Sequence, residues 1–170
     1  MSHTSKLHWY AAASKQDNDV YELWNDEQRL LTLYFNQFSQ TAKVECEDSR
    51  RNFKIEKEGF LRNKTILKNE YGVKVGELGP DNWFSQDGFI DLNGERFHYT
   101  TQTNNLAELI IFKSSKKHPL LICGLTNNNG EPSVHFEKSK ETGKYSCLLM
   151  ALSWFMLMPI AKAYVVQHAF

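Results

Sequence analysis

The sequence has no excess of charge of either sign. Lys+Arg and Asp+Glu number 20 each in 170 residues, so the formal net charge is zero. A dedicated nucleic-acid binder carries a strong basic excess, so no nucleic-acid partner is expected, although a local basic patch is still allowed. Cysteine is scarce. Cys46, Cys123 and Cys147 form an odd set without metal-type spacing, which reads as buried thiols in a reducing compartment rather than a disulfide framework. The opening residues, MSHTSKLHWYAAASKQ, lack the apolar run of a secretory signal. The expected location is therefore cytoplasmic, peripheral to a membrane at most, and the glycosylation match at Asn63-Lys64-Thr65 is read as accidental.

Catalytic and cofactor patterns are also missing. His3, His8, His98, His118, His135 and His168 show no i/i+4 pairing on a helix and no cysteine partner, so no metal site is expected. Asp81, Asp87 and Asp91 lack the order of a calcium loop. Gly72, Gly76 and Gly79 do not fit the dinucleotide pattern, and no βαβ unit surrounds them. Ser114 and Lys117 have a Ser-x-x-Lys spacing, but that motif needs a helix and this stretch lies between strands. The expectation is no enzyme and no cofactor.

What the chain does have is a long apolar run near its end. Residues 145–166, YSCLLMALSWFMLMPIAKAYVV, predict a helix that is apolar on all sides, and such a helix must be surrounded by protein or by lipid. Pro159 should loosen it and Lys162 should reach toward one end. Everything earlier is short apolar runs separated by turn residues, the rhythm of an all-β meander. Strands are predicted near His8–Ala12, Tyr21–Trp24, Leu30–Phe38, Ala42–Glu47, Asn52–Lys57, Thr65–Lys68, Val73–Leu78, Gly88–Leu92, Glu95–Thr101, Leu109–Lys113, Leu120–Leu125 and Ser133–Glu137.

Asn93-Gly94 in GFIDLNGERFHY signals a two-residue type I′ hairpin turn. It sets the register, pairing Leu92 with Glu95, Asp91 with Arg96, Ile90 with Phe97 and Phe89 with His98. A repeat is also visible. An offset of 44 residues lays Leu23 on Leu67 and Leu67 on Ile111, Leu31 on Val75, Cys46 on Ile90, Phe53 on Phe97 and Ile55 on Tyr99. A third copy runs from Leu109 to Val134 and then gives way to the helix. Such self-similarity predicts stacked four-strand units.

About twelve strands leave costly edges unless the sheet closes, and a barrel that wide cannot be filled by its own side chains. The apolar helix supplies the filling. The fold expected is therefore mainly β: a single domain over 1–170, an antiparallel closed barrel of about twelve strands (7–140) around a central helix (145–166). Trp154 should be buried near its middle.

That architecture, with the run GELGPDNWFSQDGFIDLNGERFHY, resembles the tubby C-terminal domain superfamily. The group includes the LURP-one-related proteins and the phospholipid scramblases, and the run is similar to its short bacterial members. The resemblance implies a membrane-associated binding role, with phosphoinositide recognition by a basic pocket in tubby itself.

The basic cluster here is Arg50, Arg51, Lys54, Lys57, Arg62, Lys64 and Lys68, diluted by Glu56 and Glu58. A solvated face of alternating sign and an anion site are the two readings of it. For the second, Arg51, Arg62, Lys64 and Lys68 are the candidate anion- or lipid-binding residues. The function expected is thus a non-enzymatic binding or scaffold domain, its partner an anionic phospholipid headgroup or a protein. The alternative is a tail-anchored membrane protein spanning the bilayer at about 145–166, where the uncharged run from Tyr145 to Ala161 is at the short edge of what a span requires.

Overall fold

The short apolar runs become twelve antiparallel strands. They are β1 (His8–Lys15), β2 (Asn18–Trp24), β3 (Arg29–Asn36), β4 (Thr41–Cys46), β5 (Arg51–Glu58), β6 (Lys64–Asn69), β7 (Lys74–Pro80), β8 (Asp87–Leu92), β9 (Glu95–Gln102), β10 (Glu108–Phe112), β11 (Leu121–Asn128) and β12 (Glu131–Lys138). A 3-10 turn (Lys140–Tyr145) leads into α1 (Ser146–His168), a helix of 23 residues. The computed structural model describes residues 7–58, 64–82, 85–102, 107–128 and 131–168. Side chains are described for these apart from Lys15, 126–128, 131–135 and 160–168.

Each strand pairs with the next, from β1 through to β12. The circle nearly closes: β1 and β12 meet, with Trp9 edge-on to Phe136 at 6.5 Å, but no ladder joins them among the described residues. Because the sheet is a strict meander, its turns alternate between two ends. The β2–β3, β4–β5, β6–β7, β8–β9 and β10–β11 connections lie at the end where α1 enters. The others lie at the opposite end, toward which the helix points; we call these the entry and exit ends.

The Asn93-Gly94 hairpin has the register its turn predicts, with φ of 50° and 86° at the two positions. The repeat is structural. Leu23, Leu67 and Ile111 lie on β2, β6 and β10, all fully buried, and Phe53 and Phe97 are buried on β5 and β9. Arg50, the repeat equivalent of Gly94, also has positive φ, 51°. Strand β3 stops before Phe38 because the Asn36 side-chain oxygen accepts from the backbone N–H of Phe38 and Ser39, both at 3.0 Å. That local bond turns the chain and leaves Phe38 exposed at its tip.

Inside the barrel α1 is buried on every side. Leu148 through Phe155 are all buried, a span of two helical turns, with Leu149, Ala151, Leu152 and Ser153 fully so. Protein surrounds this part of the helix. At roughly 1.5–3 kcal/mol per large buried side chain, these residues anchor the domain. Trp154 is 6% exposed, stacked on Trp9 at 5.0 Å and edge-on to Tyr21 at 5.4 Å. Pro159 is exposed, and Ile160, Lys162, Tyr164 and Val165 have side chains outside the described residues. No helix among the described residues is long and apolar enough to cross a membrane, which says nothing of strands.

The cysteines require a correction. Cys46 and Cys147 are bonded rather than free, with Cα atoms 6.2 Å apart. Cys46 ends β4 with its side chain inward, and Cys147 lies in the first turn of α1 at the same end of the barrel. The bond ties the helix to the wall where it enters. Disulfides persist in oxidising surroundings, so the support that free thiols gave to a reducing, cytoplasmic location is removed. Cys123 is the free thiol, buried and pushed up to about 12 by that burial, although Ser153 bonds to it.

Candidate functional site

At the exit end a cleft of about 270 Å³ lies between the barrel wall and the end of the buried helix segment. Its apolar walls are Phe35, Leu78, Pro80, Phe155, Met156 and Pro159, and Gln40, Lys57, Thr65, Ser85, Gln86, Tyr99 and Thr101 supply its polar lining. Strand periodicity explains why these residues meet. Phe35, Lys57, Thr65, Leu78, Tyr99 and Thr101 all occupy inward positions of their strands, near the exit end, and Lys57 stands opposite Thr65 in the ladder.

Glycine makes room for Tyr99. Gly88 pairs with Tyr99 across the ladder. A Cβ on Gly88 would sit 2.3 Å from the Tyr99 ring and 2.4 Å from the Gly79 carbonyl oxygen. The phenol therefore lies against bare backbone, 8% exposed, and its pKa is pushed up to about 12 by desolvation and by Asp81 nearby. It stays protonated at neutral pH and remains a donor. Neither the Tyr99 hydroxyl nor that of Thr65, whose residue is 4% exposed, has a hydrogen-bond partner among the described residues. By contrast, the Thr101 hydroxyl donates to the Gln86 carbonyl at 3.2 Å. Gln40 Nε2 likewise donates to the Gln37 carbonyl at 2.7 Å. Phe35 and Phe155 close the floor edge-to-face at 5.9 Å.

The rim carries charge. Lys57 and Lys64, on adjacent strands, have no ion pair among the described residues, and no carboxylate lines the cleft among them. Phe38, 83% exposed, tips the neighbouring β3–β4 turn.

The four candidate residues from the sequence are not gathered in one place. Arg51 is at the entry end, 3.5 Å from the Glu70 carboxylate and 5.0 Å over the Phe53 ring. Lys68, toward the same end, faces outward and pairs with Glu56, which Lys54 also meets at 3.2 Å. The Lys68 bond, opposed by burial and aided by Lys54, holds Glu56 below the usual carboxylate range. Lys64 is at the exit end, opposite Glu58 in the ladder and about 14 Å along β6 from Lys68 at the usual strand rise. Arg62 lies outside the described residues. Lys57 belonged to the cluster but not to the four; its inward position by period-2 counting was the signal available for it.

A second void, about 520 Å³, opens at the entry end beside Trp24, Gln28, Arg29, Leu30, Glu47 and Asp48. Its cation, Arg29, is already taken by Glu22 and Glu47 at 3.2 and 2.8 Å. No cluster of three or more metal-type ligands occurs among the described residues. Comparison of the chain with protein-family models, with curated proteins and with solved structures finds no match.

Proposed function

We infer that the chain is a non-enzymatic, tubby-like binding domain that recognises anionic lipid headgroups peripherally, through the exit end of its barrel. The observation that carries this reading is that Lys57 and Lys64, beside the exposed ring of Phe38, form no ion pair among the described residues, although Glu58 stands opposite Lys64 in the ladder. Lysines not engaged in an ion pair attract an anionic surface, and a neighbouring exposed aromatic can enter its interfacial layer. The tubby-like assignment rests on the meander barrel around a C-terminal helix together with the sequence resemblance. Cys123, the free thiol, is held protonated under the helix, in keeping with a binding role.

Each basic residue contributes about 1 kcal/mol at an anionic membrane surface. Lys57→Ala/Lys64→Ala should therefore lose about 2 kcal/mol, roughly 30-fold in partitioning. Co-sedimentation with neutral and anionic vesicles, at low and physiological salt, measures this. Equal pelleting with both kinds of vesicle, or an unchanged double variant, would leave a scaffold with a protein partner instead.

A further inference from the structure

The cleft itself has a chemistry separate from that of the rim around it. Its floor and most of its wall are apolar, yet the hydroxyls of Thr65 and Tyr99 line it without a protein partner among the described residues. Both side chains are largely buried, but their hydroxyls open on the cleft rather than being sealed in the core, so each can meet a group that enters it. Lys57 stands over the same cleft from the rung opposite Thr65. Two hydroxyl donors and one ammonium, with no carboxylate among the described lining residues, make a site suited to a single negative charge. The rest of the surface there suits hydrocarbon.

We propose that this cleft binds a small monoanionic amphiphile, a medium-chain carboxylic acid. Its carboxylate accepts hydrogen bonds from Tyr99, Thr65 and Lys57, and its chain lies against Phe35, Leu78, Phe155 and Met156. Size sets the class. At about 270 Å³ the cleft is smaller than the roughly 300–1,000 Å³ of pockets that enclose drug-sized ligands, which suits one short chain rather than a two-chain lipid. Asp81, close enough to be felt by the Tyr99 phenol, weighs against a second negative charge and so favours a monoanion over a phosphate dianion. A neutral alcohol of the same length would keep the apolar contact and lose the charged one.

The site shares Lys57 with the proposed membrane rim, but monomeric ligand in the absence of vesicles tests it separately. Calorimetric titration of the full chain with decanoate, below its micelle-forming concentration, should give saturable one-to-one binding. Decanol should bind at least tenfold more weakly. Tyr99→Phe keeps the ring and removes only the hydroxyl. It should weaken decanoate about tenfold or more, as expected for a hydrogen bond to a charged group, and leave decanol within twofold. Thr65→Val, a second removal of a hydroxyl with little change of shape, should act in the same direction. Vesicle pelleting should be unaffected by either substitution. No saturable binding of decanoate to the native chain, decanol binding as tightly as decanoate, or both hydroxyl variants behaving like the native protein would each overturn the assignment. If anionic vesicles still pellet the protein in those cases, only the cleft assignment falls. If decanoate binds and vesicles do not, the peripheral-membrane reading falls instead.

Discussion

Opening the Cys46–Cys147 bond is expected to cost the domain a large part of its stability. The bridge joins residues 101 apart in sequence, so it removes the freedom of most of the unfolded chain. The loop-closure relation gives about 4.7 kcal/mol for a loop of that size. Single domains are stable by only about 5–15 kcal/mol. Urea unfolding of the native chain with and without reductant, and of Cys46→Ala/Cys147→Ala, reads this directly. With a slope of about 2 kcal/mol per molar urea, the midpoint should fall by about 2 M. Peptide mapping without reduction should recover a Cys46–Cys147 cross-link, with Cys123 free. A shift below about 0.5 M, with the cross-link confirmed, would refute the reasoning, because it would mean that the bond hardly constrains the unfolded chain.

Trp154→Ala should destabilise by about 3–5 kcal/mol through the cavity left between Trp9 and Tyr21; a loss below about 1 kcal/mol in denaturant unfolding would contradict its packing. Gly88→Ala should cost about 1–3 kcal/mol in the same assay, because the new methyl would meet the Gly79 carbonyl, which is backbone and cannot swing away. Glu56 has a folded pKa below its ordinary value of 4.5, so its stabilising contribution is present above that value and lost as the pH falls through the folded pKa. Glu56→Gln should therefore flatten the acid limb of a stability–pH profile below about pH 4.5 and leave the limb above neutrality unchanged.

Much of the fold is legible from the residues because local rules and the global plan agree. Asn93-Gly94 sets one register, the alternation of Phe53, Ile55 and Lys57 sets an inward face, and the apolar run after Tyr145 requires a surround. The disulfide was hidden by distance along the chain, since bonding needs Cα atoms within about 4.4–6.8 Å and nothing local says that residues 46 and 147 meet. Its available signals were that Cys46 is the repeat equivalent of inward-facing Ile90 and that Cys147 falls in the first helical turn. The 3-10 turn was hidden too: it depends on Gly143 at φ 56° and on the Ser139 hydroxyl accepting from the Glu141 N–H. For the site, nearness in sequence misleads. Arg51 and Lys64 flank one hairpin, yet a strand separates them, so one marks the entry end and the other the exit end.

The repeat also explains why the cleft, rather than the outer basic cluster, is the place to look for chemistry. An inward position in one repeat has equivalents in the others, and packing alone would fill them all with apolar side chains. Tyr99 is equivalent to Ile55, which is fully buried. Thr65 is equivalent to Tyr21 and Leu109, both core residues, with Tyr21 against Trp154. Lys57 is equivalent to Thr101, and both line the cleft. So two departures from the apolar pattern, on β6 and β9, converge beside Lys57 on one void at one end of the barrel, and each brings in a hydroxyl with no partner there among the described residues. Both hydroxyls open on the cleft and are available there to an incoming acceptor. A carboxylate that accepts from both gains charge-assisted bonds there, and this makes the loss of decanoate binding in Tyr99→Phe and Thr65→Val the decisive measurement.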